Sequence, residues 1–215
     1  MKSDIDPIEM NRYLEGQSPL EIIKWTVDAA DGSAICSTNF GPYESVILHM
    51  VTQIKPDLPI VWVDSGVMLP ETYRFADLLT KHLHLNLNVF NPEMTEARRR
   101  ALFGPIPSTD DTTEFNQFSQ QVKLAPFRRA LETLKPEFWI TAIRHEQTLH
   151  RQSLQILTEE SETGLFKVAP LLKWTEKQLE AYIHEHQLPN EKVYYDPVKA
   201  NQRRECGLHT NKING

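Results

Sequence analysis

The chain has 215 residues, a formal net charge of −6 and a pI near 5.8. That length suits one domain with a proper core, and the acidic balance argues against general affinity for nucleic acid or an anionic membrane. No apolar stretch approaches the roughly 20 residues that span a bilayer, and two cysteines cannot build a four-cysteine zinc or iron–sulfur site within one chain.

The N-terminus, with Asp4, Asp6 and Glu9, lacks the pattern of a signal peptide, so a cytoplasmic protein with reduced thiols is expected. Residues 1–32 carry one amphipathic stretch (Leu20, Ile23 and Val27 at helical spacing), expected to be a packing or dimerising helix. Ser33 to Ser37 is a short candidate strand. Val46, Ile47, Met50, Val51 and Ile54 then repeat every three to four residues, which predicts a helix with one buried face. Pro59 to Asp64 is a continuous apolar run of the length and β-branching of a buried parallel strand. A second helix starts at Pro70, whose ring suits a first helical turn, and buries Tyr73, Ala76, Leu79 and Leu83. Leu85 to Phe90 and Phe138 to Ala142 are the third and fourth candidate strands. Residues 93–135 are expected to be mainly helical, broken by a polar loop from Gly104 to Thr113. Thr175 to Gln178 has the form of a capping box. Beyond Leu188 the apolar pattern stops, and residues 189–215 are expected to form a polar, mobile tail. Strand–helix–strand repetition predicts an α/β fold: an open, mostly parallel sheet with helices on both faces.

Chemistry concentrates at four places. The turn Ser37-Thr38-Asn39-Phe40-Gly41-Pro42-Tyr43-Glu44-Ser45 joins a strand to a helix, where backbone N–H groups and the helix dipole favour an anion. It lacks the Walker spacing, and it also reads as an ordinary strand–helix connection. Asp64-Ser65-Gly66 closes the second strand at the same carboxyl edge, where open α/β sheets bind ligands; Asp64 alternatively caps a helix or forms a turn. Arg144-His145-Glu146-Gln147, with Arg151 beyond it, leaves the fourth strand there too. Two such arginines can clamp an oxyanion bidentately, or simply pair with Glu146 on the surface. Lys123, Arg128 and Arg129 have the same two readings, with solvation favoured. Trp62 and Trp139 read as core, and His49, His82, His84, His184 and His186 have no ligand-like partner, so no metal is expected. Finally, Arg203-Arg204-Glu205-Cys206-Gly207-Leu208-His209 places a thiol beside two guanidiniums that favour its thiolate, with His209 able to share a proton.

Together these strings resemble the phosphoadenosine phosphosulfate (PAPS) reductases, iron-free relatives of the adenylylsulfate (APS) reductases, over about Leu20 to His209. The motifs that carry the likeness are Ser37 to Gly41, Val63 to Gly66 with Leu69-Pro70-Glu71-Thr72-Tyr73-Arg74-Phe75, Ile143 to Gln147, and Glu205 to His209. The resemblance implies a single domain over 1–215 with an adenine-nucleotide α-hydrolase-like sheet, related to the ATP pyrophosphatases. It further implies a homodimer without an iron–sulfur cluster. By the same resemblance Ser37, Thr38, Asn39, Phe40, Gly41 and Ser45 would hold nucleotide phosphate, and Asp64, Ser65 and Gly66 would border the adenosine. Arg144 and Arg151 would face the phosphosulfate or 3′-phosphate, with Arg203, Arg204 and His209 arriving on the tail. Cys206 would attack the sulfonate sulfur, and thioredoxin or glutaredoxin would release sulfite from the Cys206 S-sulfonate.

The chain departs from the family pattern in a shortened path from Leu188 through Tyr194-Tyr195-Asp196-Pro197 to Arg203, and in Asn39 and Pro42-Tyr43 of the loop. A short tail leaves three expectations: Cys206 reaches its own nucleotide from a closer anchor, it serves the partner subunit, or activity is weakened. Rival readings are an iron-free APS reductase, an ATP pyrophosphatase-type nucleotidyl transferase, and a non-catalytic nucleotide-binding module.

Overall fold

The structure, a computed structural model, describes residues 5–108, 112–161 and 163–198. The first candidate strand is β1 (Ala34–Thr38), flanked in the sheet by β2 (Ile60–Val63) and β4 (Phe138–Ile140), with β3 (Leu87–Phe90) beyond β2. These four are parallel, with Cys36 opposite both Ile60 and Ile140. Two strands that the sequence pattern had not disclosed extend the other side. β6 (Phe166–Val168) pairs parallel with β4, and β5 (Leu157–Glu159) runs antiparallel at the edge, giving the order β3-β2-β1-β4-β6-β5. The direction of winding reverses between β1 and β4, so the loops leaving those two strands diverge and open a crevice.

Period-two alternation in β1 feeds two cores. Ala34 and Cys36 join Ile60, Trp62, Phe138 and Ile140 on one face. Ile35 joins Val61, Val63 and Trp139 on the other. The first face is covered by α2 (Pro19–Ala30), α3 (Glu44–Ile54), α4 (Pro70–Leu83) and α8 (Glu176–Glu185). The second is covered by α6 (Thr112–Ser119) and α7 (Ala125–Leu134); α5 (Glu96–Phe103) follows β3. The sheet is therefore open, mostly parallel and helix-covered on both sides, as expected.

The first 32 residues hold two helices rather than one. α2 starts with Pro19 behind a Ser18–Glu21 capping box and buries Ile22, Ile23, Thr26 and Ala30 against α3 and the sheet. Preceding it, α1 (Pro7–Leu14) places Asn11 against the edge strand. Asn11 Nδ2 donates to the Leu157 carbonyl at 2.8 Å and its Oδ1 accepts from Leu157 N–H at 3.0 Å. That exchange satisfies backbone groups of an edge strand that would otherwise invite another chain.

Between α6 and α7 lies a π-helical turn, Gln120–Leu124, in which Ala125 N–H donates to the Gln120 carbonyl. Pro126 follows immediately, and its ring nitrogen has no hydrogen for the α-helical bond to the carbonyl four residues back. The widened turn brings Lys123 inward, 7% exposed, where a solvated lysine was expected. Past Leu188 the polar stretch is also partly folded: Asp196, Pro197 and Val198 are buried. The remainder of the expected tail, 199–215, with Arg203, Arg204, Cys206 and His209, lies outside the described residues.

Candidate functional site

A cleft opens at the β1/β4 reversal, lined by Ser37, Thr38 and Asn39 from the end of β1, Ser65 and Met68 after β2, and Thr141 to Ile143 after β4. Glu44, Val61, Val63, Lys123, Phe127, Gln147, Arg151, Asp196 and Val198 complete its walls. Two buried cations in an acidic protein thus face one crevice: Lys123, and Arg151 at 3% exposure. Charge buried on this scale is held by partners or waits for a ligand of opposite sign.

The loop after β1 is fixed by its own side chains. Phe40 N–H donates to Thr38 Oγ1 at 3.0 Å and Gly41 N–H to Asn39 Oδ1 at 2.9 Å. Phe40 (φ 51°) and Tyr43 (φ 69°) both adopt left-handed backbone, a cost of roughly 1–3 kcal/mol each that surrounding contacts must hold in place. Gly41 is needed for room: a Cβ there would lie 2.9 Å from Asn39 Oδ1 and 3.5 Å from the Tyr194 ring. Tyr43 ties the loop to the C-terminal side. Its N–H donates to Asn190 Oδ1 at 2.9 Å, and its hydroxyl donates to Glu176. Burial, then the Glu176 and Glu180 carboxylates, push its phenol well above the ordinary range. Ser45 lies on the first turn of α3, buried and outside the cleft lining, its hydroxyl without a hydrogen-bond partner among the described residues.

After β2 the three residues divide their work. Asp64 Oδ1 accepts from Gly66 N–H at 2.9 Å and from the Tyr73 hydroxyl at 2.8 Å, so its carboxylate shapes the turn. Gly66 sits at φ 78°, where a side chain would be strained. Ser65 alone of the three lines the cleft, 4% exposed, and its hydroxyl has no hydrogen-bond partner among the described residues. A buried hydroxyl left unmatched at a cleft wall is a donor available to a ligand.

The two arginines separate likewise. Arg151 lines the cleft, its guanidinium donating to Gln147 Oε1. Arg144 lies outside the lining, donating to Glu146 at 3.1 Å and resting 5.9 Å over the Tyr43 ring. Gln147 links them, since the same Oε1 accepts from Arg144 N–H at 3.0 Å. Lys123 and Asp196, which sequence reasoning did not place in the site, pair there at 2.5 Å. The signal for Lys123 was Pro126 three residues on; Asp196 had none beyond its position in the shortened path. Arg128 donates to Gln120 and Arg129 pairs with Glu93, both away from the lining. Cys36 is fully buried within β1, and burial, reinforced by Glu44, pushes its thiol far up. Among the described residues no group of three or more His, Cys, Asp or Glu side chains is placed to hold a metal ion, and no helix is long and apolar enough to cross a membrane.

The cleft gathers the cations of Lys123 and Arg151 with the hydroxyls of Ser37, Thr38 and Ser65, groups that can meet an anion, and the carboxylates of Glu44 and Asp196 share the same lining. Comparison with known proteins points the same way. A family model for the phosphoadenosine phosphosulfate reductase domain matches residues 33–198. The phosphoadenosine 5′-phosphosulfate reductase of a Synechococcus species is 33% identical over 224 residues, covering 94% of this chain and 96% of its own. That of a Synechocystis species is 38% identical over 185 residues, covering 86% and 74%. Among solved structures, the PAPS reductase of Candida auris in its phosphate complex matches with a TM-score of 0.73 at 25% identity, over 85% of this chain and 86% of that one. The fold alone is shared with the FMN adenylyltransferase of Candida glabrata (TM-score 0.56, 16% identity, 84% of this chain and 57% of that one). It is also shared with the NH3-dependent NAD synthetase of Campylobacter jejuni (TM-score 0.54, 10% identity, 86% and 75%).

Proposed function

The chain belongs to the phosphoadenosine phosphosulfate reductase family, and from that premise we propose that it reduces 3′-phosphoadenylyl sulfate to sulfite and adenosine 3′,5′-bisphosphate. The observation that carries this reading is the convergence of Lys123, Arg151 and the unmatched Ser65 hydroxyl on one cleft at the β1/β4 reversal. A phosphosulfate reaching those groups would have its charge met by Arg151 and Ser65 where they stand, and by Lys123 in exchange for its present partner Asp196. Such preorganisation stabilises the negative charge that grows on the departing phosphate.

In the proposed step the Cys206 thiolate attacks the sulfonate sulfur. The bond from that sulfur to the phosphate oxygen breaks, and adenosine 3′,5′-bisphosphate leaves with the electron pair. A thiolate of an external dithiol, thioredoxin or glutaredoxin, then attacks the Cys206 sulfur. Sulfite departs with its pair, and the second thiol of the donor resolves the mixed disulfide and restores Cys206. Cys36 is unsuited to resolve it, being buried and held protonated. The guanidiniums of Arg203 and Arg204, adjacent in sequence, would favour the Cys206 thiolate among anions.

Intact-mass and peptide-mass spectrometry after mixing with PAPS, without reductant, tests the reading. A sulfonate adduct on the Cys206 peptide is expected; no adduct with either PAPS or APS would end it. Sulfite release from the two nucleotides, measured side by side, decides between a PAPS and an APS reductase. Pyrophosphate release from ATP would instead favour the nucleotidyl transferase chemistry.

A further inference from the structure

Lys123 Nζ and Asp196 Oδ2 lie 2.5 Å apart, with side chains 9% and 3% exposed, and both face the cleft that Arg151, Ser37 and Ser65 line. The carboxylate is held in its own turn as well, since Oδ1 accepts from Val198 N–H at 3.0 Å. We infer that Asp196 is an internal stand-in for the substrate's anion, occupying Lys123 until an anionic nucleotide displaces it and lets the segment around it withdraw from the cleft.

The argument rests on the reading of this cleft as an anionic-nucleotide site, and then on two incompatible demands for one ammonium. A carboxylate this deeply buried requires its cation, because an unpaired buried charge is strongly unfavourable. An incoming phosphate seeks the same cation and would stand beside the carboxylate, where like charges within about 4–6 Å oppose each other's ionised forms. Withdrawal of Asp196 resolves both. The flanking chain is exposed on its outer side, Val193 by 54% and Tyr195 by 40%, and Lys192 meets Glu180 at the surface, while Pro197 and Val198 on the other side of Asp196 are buried.

Isothermal titration of the full chain with adenosine 3′,5′-bisphosphate, comparing wild type with Asp196→Asn, tests this. Asparagine keeps the shape and the acceptor for Val198 N–H while removing the competing charge. About tenfold tighter binding is expected. Unchanged or weaker binding would overturn the inference, since an acid that merely positions Lys123 would help the nucleotide. Should the variant fold poorly, hydrogen exchange on the wild type decides. The backbone amides of residues 194–196 and 198 should exchange faster with nucleotide bound; slower or equal exchange counts against displacement. Wild type that binds no nucleotide removes the reading of the cleft and this inference with it, whereas wild-type binding without the variant's gain removes the inference alone.

Discussion

The indole N–H of Trp139 donates to Ser37 Oγ at 2.7 Å, a bond that crosses from β4 to the end of β1 beneath the cleft. Because that oxygen already accepts from the indole, the serine's own hydrogen is left to turn toward a ligand oxygen. Core and site therefore meet in one hydroxyl. Ser37→Ala should lower affinity for adenosine 3′,5′-bisphosphate about tenfold, as loss of a hydrogen bond to a charged group does, and destabilise the fold by about 1–3 kcal/mol. Calorimetric titration and urea unfolding read the two effects separately.

Gly41→Ala should act on the loop with little effect on the sheet. The added methyl would press on Asn39 Oδ1 and the Tyr194 ring, so the Asn39 turn must open. The variant should keep its far-ultraviolet circular dichroism and lose nucleotide affinity by an order of magnitude or so, about 1.4 kcal/mol. An unaltered dissociation constant would show that the loop does not touch the ligand.

The two cysteines should behave oppositely. Cys206→Ser is expected to abolish sulfite release while leaving the affinity for adenosine 3′,5′-bisphosphate within about twofold, roughly 0.4 kcal/mol. Cys36→Ala should retain turnover, and native protein should be alkylated by iodoacetamide at Cys206 long before Cys36, whose thiol is buried and held protonated. Peptide mapping of the alkylated protein gives the order directly.

Stability should fall off on both sides of neutrality for separate reasons. Cys36 holds its proton more tightly in the native state than in the unfolded chain. Its contribution is therefore complete below the ordinary thiol value of 9.0 and is lost as pH rises past it. His49 runs the other way. Burial, with His186 and His82 adding to it, favours its neutral ring, so its contribution is present above the ordinary 6.5 and declines as pH falls below that value. Thermal unfolding across the range should show the alkaline slope flattened by Cys36→Ala and the acid slope flattened by His49→Phe.

The sheet was readable where apolar residues are contiguous or the flanking signals strong. Pro59 to Asp64 announces β2, Pro70 opens α4, and Thr175 to Gln178 forms the expected capping box. β5 and β6 were not, because three residues each, such as Leu157-Thr158-Glu159, are too few to display a period. Within the site the residue types were visible and their directions were not. Asp64 and Ser65 are neighbours in a motif, yet backbone geometry turns one to Tyr73 and the other to the cleft. Lys123 read as solvated because a regular helix has no reason to bury it; only the π turn ahead of Pro126 supplies one. Asp196 stands in a polar stretch whose burial depends on a partner 73 residues away, a pairing that no local pattern encodes.

The widened turn at Gln120–Leu124 also sets a limit on how this molecule can be altered. That turn carries one residue more than an α-helical turn would between the same flanks. Removing one residue would let it close to α-helical spacing with α6 and α7 keeping their relative orientation, so Phe115 and Phe118 stay packed, while the bulge that carries Lys123 to the crevice is lost. Shortening this stretch would therefore strike the crevice before it touched the sheet.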